Sequence, residues 1–249
     1  MPVSAGLALF VVDALPAAGP FMLTGPEGRH AATVRRMRVG ERLALTDGAG
    51  GWMTGTVTAV GKDQLTLDLH DPGFDPAPLP TVTVVQALPK GDRSELAVDQ
   101  ATEAGADVLV PWAASRCVAR WTGDKAVKGV DRWRQVAREA AKQSRRTRFP
   151  LVEPLHSTAD LIRRVAAITT AGGTALVLHE AGSTPIRGVA LAATEVLIVI
   201  GPEGGIADDE LARLTAAGAH VVRLGPQVLR TSTAAAVALG ALGVLTDRW

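Results

Sequence analysis

Hydrophobic and polar positions alternate with two different rhythms along this chain. Up to about residue 70 the rhythm is that of strands. Leu7–Val12 is an apolar run. Leu43 and Leu45 alternate with small or polar neighbours, Thr54–Val60 is rich in Thr and Val, and Leu65, Leu67 and Leu69 alternate with Thr66 and Asp68. A period of two predicts half-buried strands. Asp47–Gly51 and Gly61-Lys62-Asp63 punctuate the runs as turns. Several short strands with glycine turns predict a small β-barrel, and His30–Met37 interrupts them as a short helix.

Asp71–Pro80 then places four prolines in ten residues. Proline lacks an amide donor and restricts its predecessor, so this stretch predicts a linker. Beyond it, short apolar runs alternate with helical patterns. The runs are Thr81–Leu88, Asp107–Val110, Thr174–Leu178, Val196–Ile200 and Val221–Leu224. Helical windows lie near 93–104, 127–146, 157–168, 207–217 and 233–247. Continuous apolar runs suit strands covered on both faces, so the alternation predicts an α/β domain on a parallel sheet. The domains are expected at 1–74 and 75–249.

Composition narrows the class. The 249 residues are 47% hydrophobic and 20% charged, which predicts packed cores rather than disorder. The single cysteine, Cys117, can form no internal disulfide and is expected to be a buried small hydrophobe. The five histidines, at 30, 70, 156, 179 and 220, show no metal-ligand spacing, so no metal is expected. Gly6–Val12 is short, and no Lys or Arg precedes it, unlike a secretory signal. The longest apolar run, Thr233–Leu245, falls short of the ~17–25 residues of a membrane span. A cytoplasmic protein is expected.

The formal net charge of +1 hides an asymmetry. Residues 116–148 hold 11 Lys/Arg against three acids, net +8. Residues 29–42 hold five Arg against one acid, net +4, so the remainder carries −11. A polyanion responds to a local positive face, not to the sum. On the window near 127–146, Arg134, Arg138, Lys142 and Arg145 follow helical spacing, and Arg146 and Arg148 extend the stripe. A single-sign stripe of arginine favours phosphate contact. Arg29, Arg35, Arg36 and Arg38 form a second basic element. Aromatic residues are sparse, so phosphate and shape contacts are favoured over base stacking.

Two glycine turns follow predicted strands. Val196–Ile200 runs into Gly201-Pro202-Glu203-Gly204-Gly205. Leu224 runs into Gly225-Pro226-Gln227-Val228-Leu229-Arg230-Thr231-Ser232-Thr233, where Thr231, Ser232 or Thr233 could cap the next helix. His179-Glu180 ends a third strand. Ligands of open α/β sheets bind at the carboxyl ends of strands, so these loops predict one pocket. Neither a P-loop nor a Gly-x-Gly-x-x-Gly fingerprint is present, which weighs against a dinucleotide oxidoreductase.

These motifs together resemble the small-subunit (16S) ribosomal RNA uracil-N3 methyltransferases of the SPOUT superfamily. The resemblance spans nearly the whole chain. It rests on His30–Arg36 with Asp47-Gly48-Ala49-Gly50, on Lys90-Gly91-Asp92-Arg93 with Gln100–Gly105, and on Arg132-Trp133, Ala140–Arg146 and Pro150. It ends with Gly201–Gly205 and Leu224–Thr231. It departs from the family at Ser232, usually Glu, at Lys142, usually Glu, and at Ala104, usually Leu.

The resemblance implies a PUA-like N-terminal barrel, a C-terminal α/β domain with a deep trefoil knot, and a homodimer acting on 16S ribosomal RNA or the small ribosomal subunit. It implies S-adenosylmethionine held by Leu178, His179 and Glu180, by Ile200, Gly201, Pro202, Glu203, Gly204 and Gly205, and by Leu224, Gly225, Val228, Leu229, Arg230, Thr231 and Thr233. Arg145 and Arg230 become candidates for stabilising a uracil anion, and Glu203 a candidate base or uracil-orienting group. The basic residues Arg29, Arg35, Arg36, Arg38, Arg134, Arg138, Lys142, Arg145 and Arg146 become RNA contacts. A ribose 2′-O or other base methyltransferase on the same fold, and a non-catalytic ribosome-assembly factor, are the alternatives.

Overall fold

The computed structural model describes residues 6–91, 93–192 and 194–249. Asp92 of the Lys90–Arg93 motif lies outside the described residues. The chain divides into two compact units, one of Met1–Ala77 with Ala141–Phe149, the other of Pro78–Ala140 with Pro150–Trp249.

The first unit holds β1 (Ala8–Val11), β2 (Gly19–Leu23), α1 (Gly25–Arg29), β3 (Arg42–Thr46), β4 (Gly51–Gly61) and β5 (Gln64–Phe74). The sheet order is β1-β3-β4-β5-β2. All five strands contribute to one core, which includes Phe10, Leu23, Leu43, Leu45, Met53, Val57, Leu65, Leu67 and Leu69. The expected Leu alternation on β5 is therefore its inward face. β2 is not legible in the sequence, because Gly19-Pro20-Phe21-Met22-Leu23 carries a proline. That proline is tolerated on a strand at the sheet's edge, paired to β5 alone.

The short helix at His30–Met37 is instead α1 followed by a π-helical turn over His30–Val34. The linker does not begin at Asp71, because β5 continues to Phe74 and pairs with Gly51–Met53. Pro72 fits because β2 stops pairing at Leu69, leaving one side of β5 open. Asp71 is squeezed out as a bulge, with φ 50°.

Ala141–Phe149 packs into the same unit. The Gly50 amide donates to the Thr147 carbonyl (2.9 Å), and the Phe149 amide to the Gly48 carbonyl (2.9 Å). The Thr147 hydroxyl donates to Asp75 (2.5 Å). These bonds join positions far apart along the chain, which no local pattern reveals.

The second unit holds β6 (Thr81–Ala87), α2 (Arg93–Glu103), β7 (Val108–Ala113), α3 (Asp124–Gln143, whose last residues from Ala141 count with the first unit), β8 (Leu151–Val152), β9 (His156–Ser157) and α4 (Thr158–Thr170). It continues with β10 (Thr174–Leu178), β11 (Thr184–Pro185), β12 (Glu195–Ile200), α5 (Asp208–Ala216), β13 (His220–Arg223) and α6 (Thr231–Leu245). The sheet order is β11-β13-β10-β12-β6-β7-β8, with β9 also on β7, and every pairing is parallel. The central strands are buried along most of their length, as two-face coverage requires. β7 runs through Pro111, which pairs with β6, while β8 and β9 pair with β7 only on either side of it. Because the strands are parallel, the carboxyl ends of β13, β10, β12, β6 and β7 lie side by side on one edge.

α3 ends at Gln143, earlier than the helical window predicts. Arg145 turns to φ 58°, and the Arg146 amide closes the helix on the Ala141 carbonyl (2.8 Å). Arg145, Arg146 and Arg148 therefore leave the helical stripe, which stops at Lys142. α6 begins at Thr231 with Arg230 as its N-cap and no side-chain cap, so the expected Thr/Ser cap is not made.

Candidate functional site: a cavity at the strand ends

Three strand-end loops of the second unit close around a cavity of about 770 Å³. The first is Leu178, His179 and Glu180 after β10. It turns back at once. The His179 amide donates to the Val222 carbonyl (3.0 Å) and the Gly182 amide to the His179 carbonyl (3.1 Å). A Cβ on Gly182 would stand 2.8 Å from the Val222 carbonyl carbon, so glycine permits that approach.

The second loop runs from Ile200 to Ile206 after β12. A Cβ on Gly201 would press to 2.7 Å on the Ile206 side chain, and Gly205 holds φ 73°. The loop closes with the Gly205 amide on the Pro202 carbonyl (2.9 Å). Glu203 is exposed, and its carboxylate accepts the backbone amide of Lys90 (3.2 Å), tying this loop to the end of β6. One of its oxygens is thus engaged, which reduces its freedom as a base.

The third loop runs from Arg223 through Thr231 after β13. Leu224, Gly225, Val228, Leu229, Arg230 and Thr231 all line the cavity, and Thr233 does not. Arg145 belongs to the first unit and is not among the lining residues.

The cavity also takes residues that the sequence reading misses, among them Arg93, Arg116 and Asp208. Arg116 carries a usable signal, since it follows the apolar run of β7 and so stands at the same sheet edge. Glu210 carries none. It is 3% exposed in the first turn of α5 and gathers donors from the loop after β7, from the start of α4 and from the residue that caps its own helix.

The basic residues divide between the units. Arg29, Arg35, Arg36, Arg38, Lys142, Arg145 and Arg146 lie in the first unit, and Arg134 and Arg138 in the second. Arg35, Arg36 and Arg38 are exposed just past the π-helical turn, and Arg36 holds φ 52°. Lys142 is mostly buried against Glu27 (2.6 Å), so its charge is spent inside the unit. Arg134 pairs with Asp131 (2.9 Å) at an exposed position, a weak bond that an incoming phosphate can displace.

Among the described residues no His/Cys/Asp/Glu group is placed to hold a metal ion. Among the described residues no helix is long and apolar enough to cross a membrane either.

Residues 75–243 match the model of an RNA methyltransferase domain, and residues 23–69 match that of an RNA methyltransferase PUA domain. The chain belongs to this RNA methyltransferase family. It is 55% identical over 243 residues to a Mycobacterium bovis protein named ribosomal RNA small subunit methyltransferase E, covering 97% of this chain and 93% of that one. The Bacillus subtilis protein of the same name is 33% identical, with 91% of each chain covered. Among solved structures, ribosomal RNA small subunit methyltransferase E from Neisseria gonorrhoeae, bound to S-adenosylmethionine, superposes with a TM-score of 0.84 at 25% identity, over 96% of this chain and 98% of that one. A Legionella pneumophila protein in complex with the same cofactor gives 0.83 at 27% identity, over 96% and 98%. The first unit is thus a PUA-like domain and the second an α/β methyltransferase domain.

The cavity fits the cofactor of this family. Its volume lies within the ~300–1,000 Å³ of small-molecule sites. Leu178, Ile200, Leu224 and Leu229 offer apolar surface to an adenine ring. Glu180 and Asp208 offer acceptors for ribose hydroxyls or an ammonium group, and the glycine turns let main chain approach a ligand closely.

Proposed function

We propose that this protein uses S-adenosylmethionine to methylate N3 of one uridine in small-subunit ribosomal RNA. The observation that carries this reading is the convergence of the Leu178, Ile200 and Leu224 loops on one cavity, in a chain of this family.

The three loops hold the cofactor, which supplies an electrophilic methyl group on a positively charged sulphur. The chain's own residues must orient the uridine and manage its N3 proton. That proton has to leave before or during attack, and the charge that develops on the uracil ring needs a cation. Arg230, exposed on the cavity's rim, is the cation we place there. Arg145, in the other unit, we assign to RNA contact. Glu203 orients the uracil through the carboxylate oxygen that Lys90 leaves free. Holding N3 in line with the methyl group supplies much of the rate. The uridine leaves its stack to enter the cavity.

The PUA-like unit, with Arg29, Arg35, Arg36 and Arg38, grips RNA phosphates. The domain boundary falls near residues 74–77, where the linker's remaining prolines begin. Assembly as a homodimer is supported by the exposed Val237 and Val244, seven residues apart on one face of α6. A deep trefoil knot at the three loops and a cytoplasmic location complete the proposal.

Incubation with labelled cofactor and small ribosomal subunits lacking the modification, followed by mass-spectrometric mapping, tests the reading. The expected product is a single N3-methyluridine. A methyl group on a ribose or on another base, or none, would overturn it.

A further inference from the structure

Next in sequence to one cation on the cavity's rim, Ser115 is held by a buried carboxylate. Glu210 is 3% exposed. It accepts the Ser115 amide (2.9 Å) and hydroxyl (2.9 Å), the Thr158 hydroxyl (2.7 Å) and the Ala207 amide (3.4 Å). No cation among the described residues pairs with it. Donors of this number are what allow a carboxylate to leave water. Their effect is to clamp the chain at Ser115, directly beside Arg116.

Arg116 then leans on the glycine loop. Its Nη1 donates to the carbonyls of Gly204 (3.5 Å) and Ile206 (3.4 Å). A Cβ on Gly204 would stand only 3.4 Å from the Cβ and carbonyl oxygen of Arg116, so the two segments run close. Nε and Nη2 have no hydrogen-bond partner among the described residues, and Arg116 lines the cavity. Those two donors share one edge of the guanidinium, spaced for the two oxygens of a single carboxylate. The protein uses that edge elsewhere: Arg132 binds both oxygens of Glu95 through Nε (2.8 Å) and Nη2 (2.6 Å). Arg93, Arg223 and Arg230 also line the cavity, but their side chains make no hydrogen bond to its loops among the described residues.

We propose that Arg116 binds the α-carboxylate of S-adenosylmethionine, and that Glu210 is the positioning residue that aims it. The subsite lies outside the three loops and rests on reading the cavity as the cofactor site. A uracil anion matches the fork less well, because its two oxygens sit on different carbons on either side of N3.

Calorimetry on the full chain tests this with two ligands, S-adenosylmethionine and 5′-methylthioadenosine, which lacks the amino-acid portion. Arg116→Ala is expected to weaken the first by about 10- to 100-fold, the scale of removing a charged hydrogen-bond pair. It should leave the second within about twofold, since that ligand offers no carboxylate to the fork. Arg116→Lys should fall between, because an ammonium lacks the fork. Glu210→Gln, which keeps volume, should weaken S-adenosylmethionine selectively. Equal weakening of both ligands in Arg116→Ala would make Arg116 a loop brace and overturn the proposal, as would no weakening of either. If the wild-type protein binds neither ligand, the reading of the cavity itself fails instead.

Discussion

Cys117 is buried, with its thiol against the Trp112 carbonyl (3.8 Å). Burial pushes its pKa above the ordinary thiol value, outweighing the backbone hydrogen bonds that act the other way. Thiolate is the reactive form, so the native protein should resist a disulfide reagent at pH 8 and release one equivalent once denatured. Rapid native labelling would contradict this. Arg248 is committed differently. It is nearly buried and donates to Asp107 (2.8 Å), to the Pro80 carbonyl (2.6 Å) and to the Gly105 carbonyl (2.7 Å). Arg248→Ala would leave the Asp107 carboxylate with the Val82 amide (2.8 Å) but without this cation, and a destabilisation of about 3 kcal/mol is expected in urea unfolding.

Elements make their own demands. β4 and β5 lie so close at one point that a Cβ on Gly73 would stand 1.9 Å from the Trp52 ring. Gly73→Ala should destabilise the PUA-like domain by about 1–3 kcal/mol, an overpacking cost, and should shift Trp fluorescence. At the start of α4, Ser157 and Asp160 cap each other reciprocally. The hydrogen bonds from the Ser157 hydroxyl and then its amide hold the Asp160 carboxyl below its usual range. A depressed carboxylate contributes stability that is present above its unfolded pKa and lost as pH falls through the folded one. The stability difference between wild type and Ser157→Ala should therefore be constant near neutrality and shrink in acid below about pH 4. A difference that grows on acidification would refute the sign.

Across the molecule, RNA binding is expected to depend steeply on salt. Replacing Arg35, Arg36 and Arg38 together by Ala should lower the slope of log K against log salt by about 2–3, near 0.7–0.9 for each phosphate no longer neutralised. An unchanged slope would remove this element from the RNA interface.

Legibility in the sequence depends on the range of the interaction. The buried runs Thr174–Leu178 and Val196–Ile200 announce parallel strands, because a chain covered on both faces has no polar side to show. The Leu65, Leu67 and Leu69 alternation announces β5 for the opposite reason, having one wet face. The glycine turns after β12 and β13 expose the candidate site, since close approach of backbone leaves a mark in composition. Arg145, by contrast, fits a helical stripe by spacing, yet the chain turns there at φ 58°. The Lys142–Glu27 pair and the Glu210 cluster join residues distant in sequence, so only the folded chain reveals them. Local pattern alone sets the character of the two domains, the strand-end loops and the concentration of positive charge. Folding settles which charges remain available and which carboxylate stands behind Arg116, because burial and hydrogen-bond satisfaction are properties of distant segments brought together.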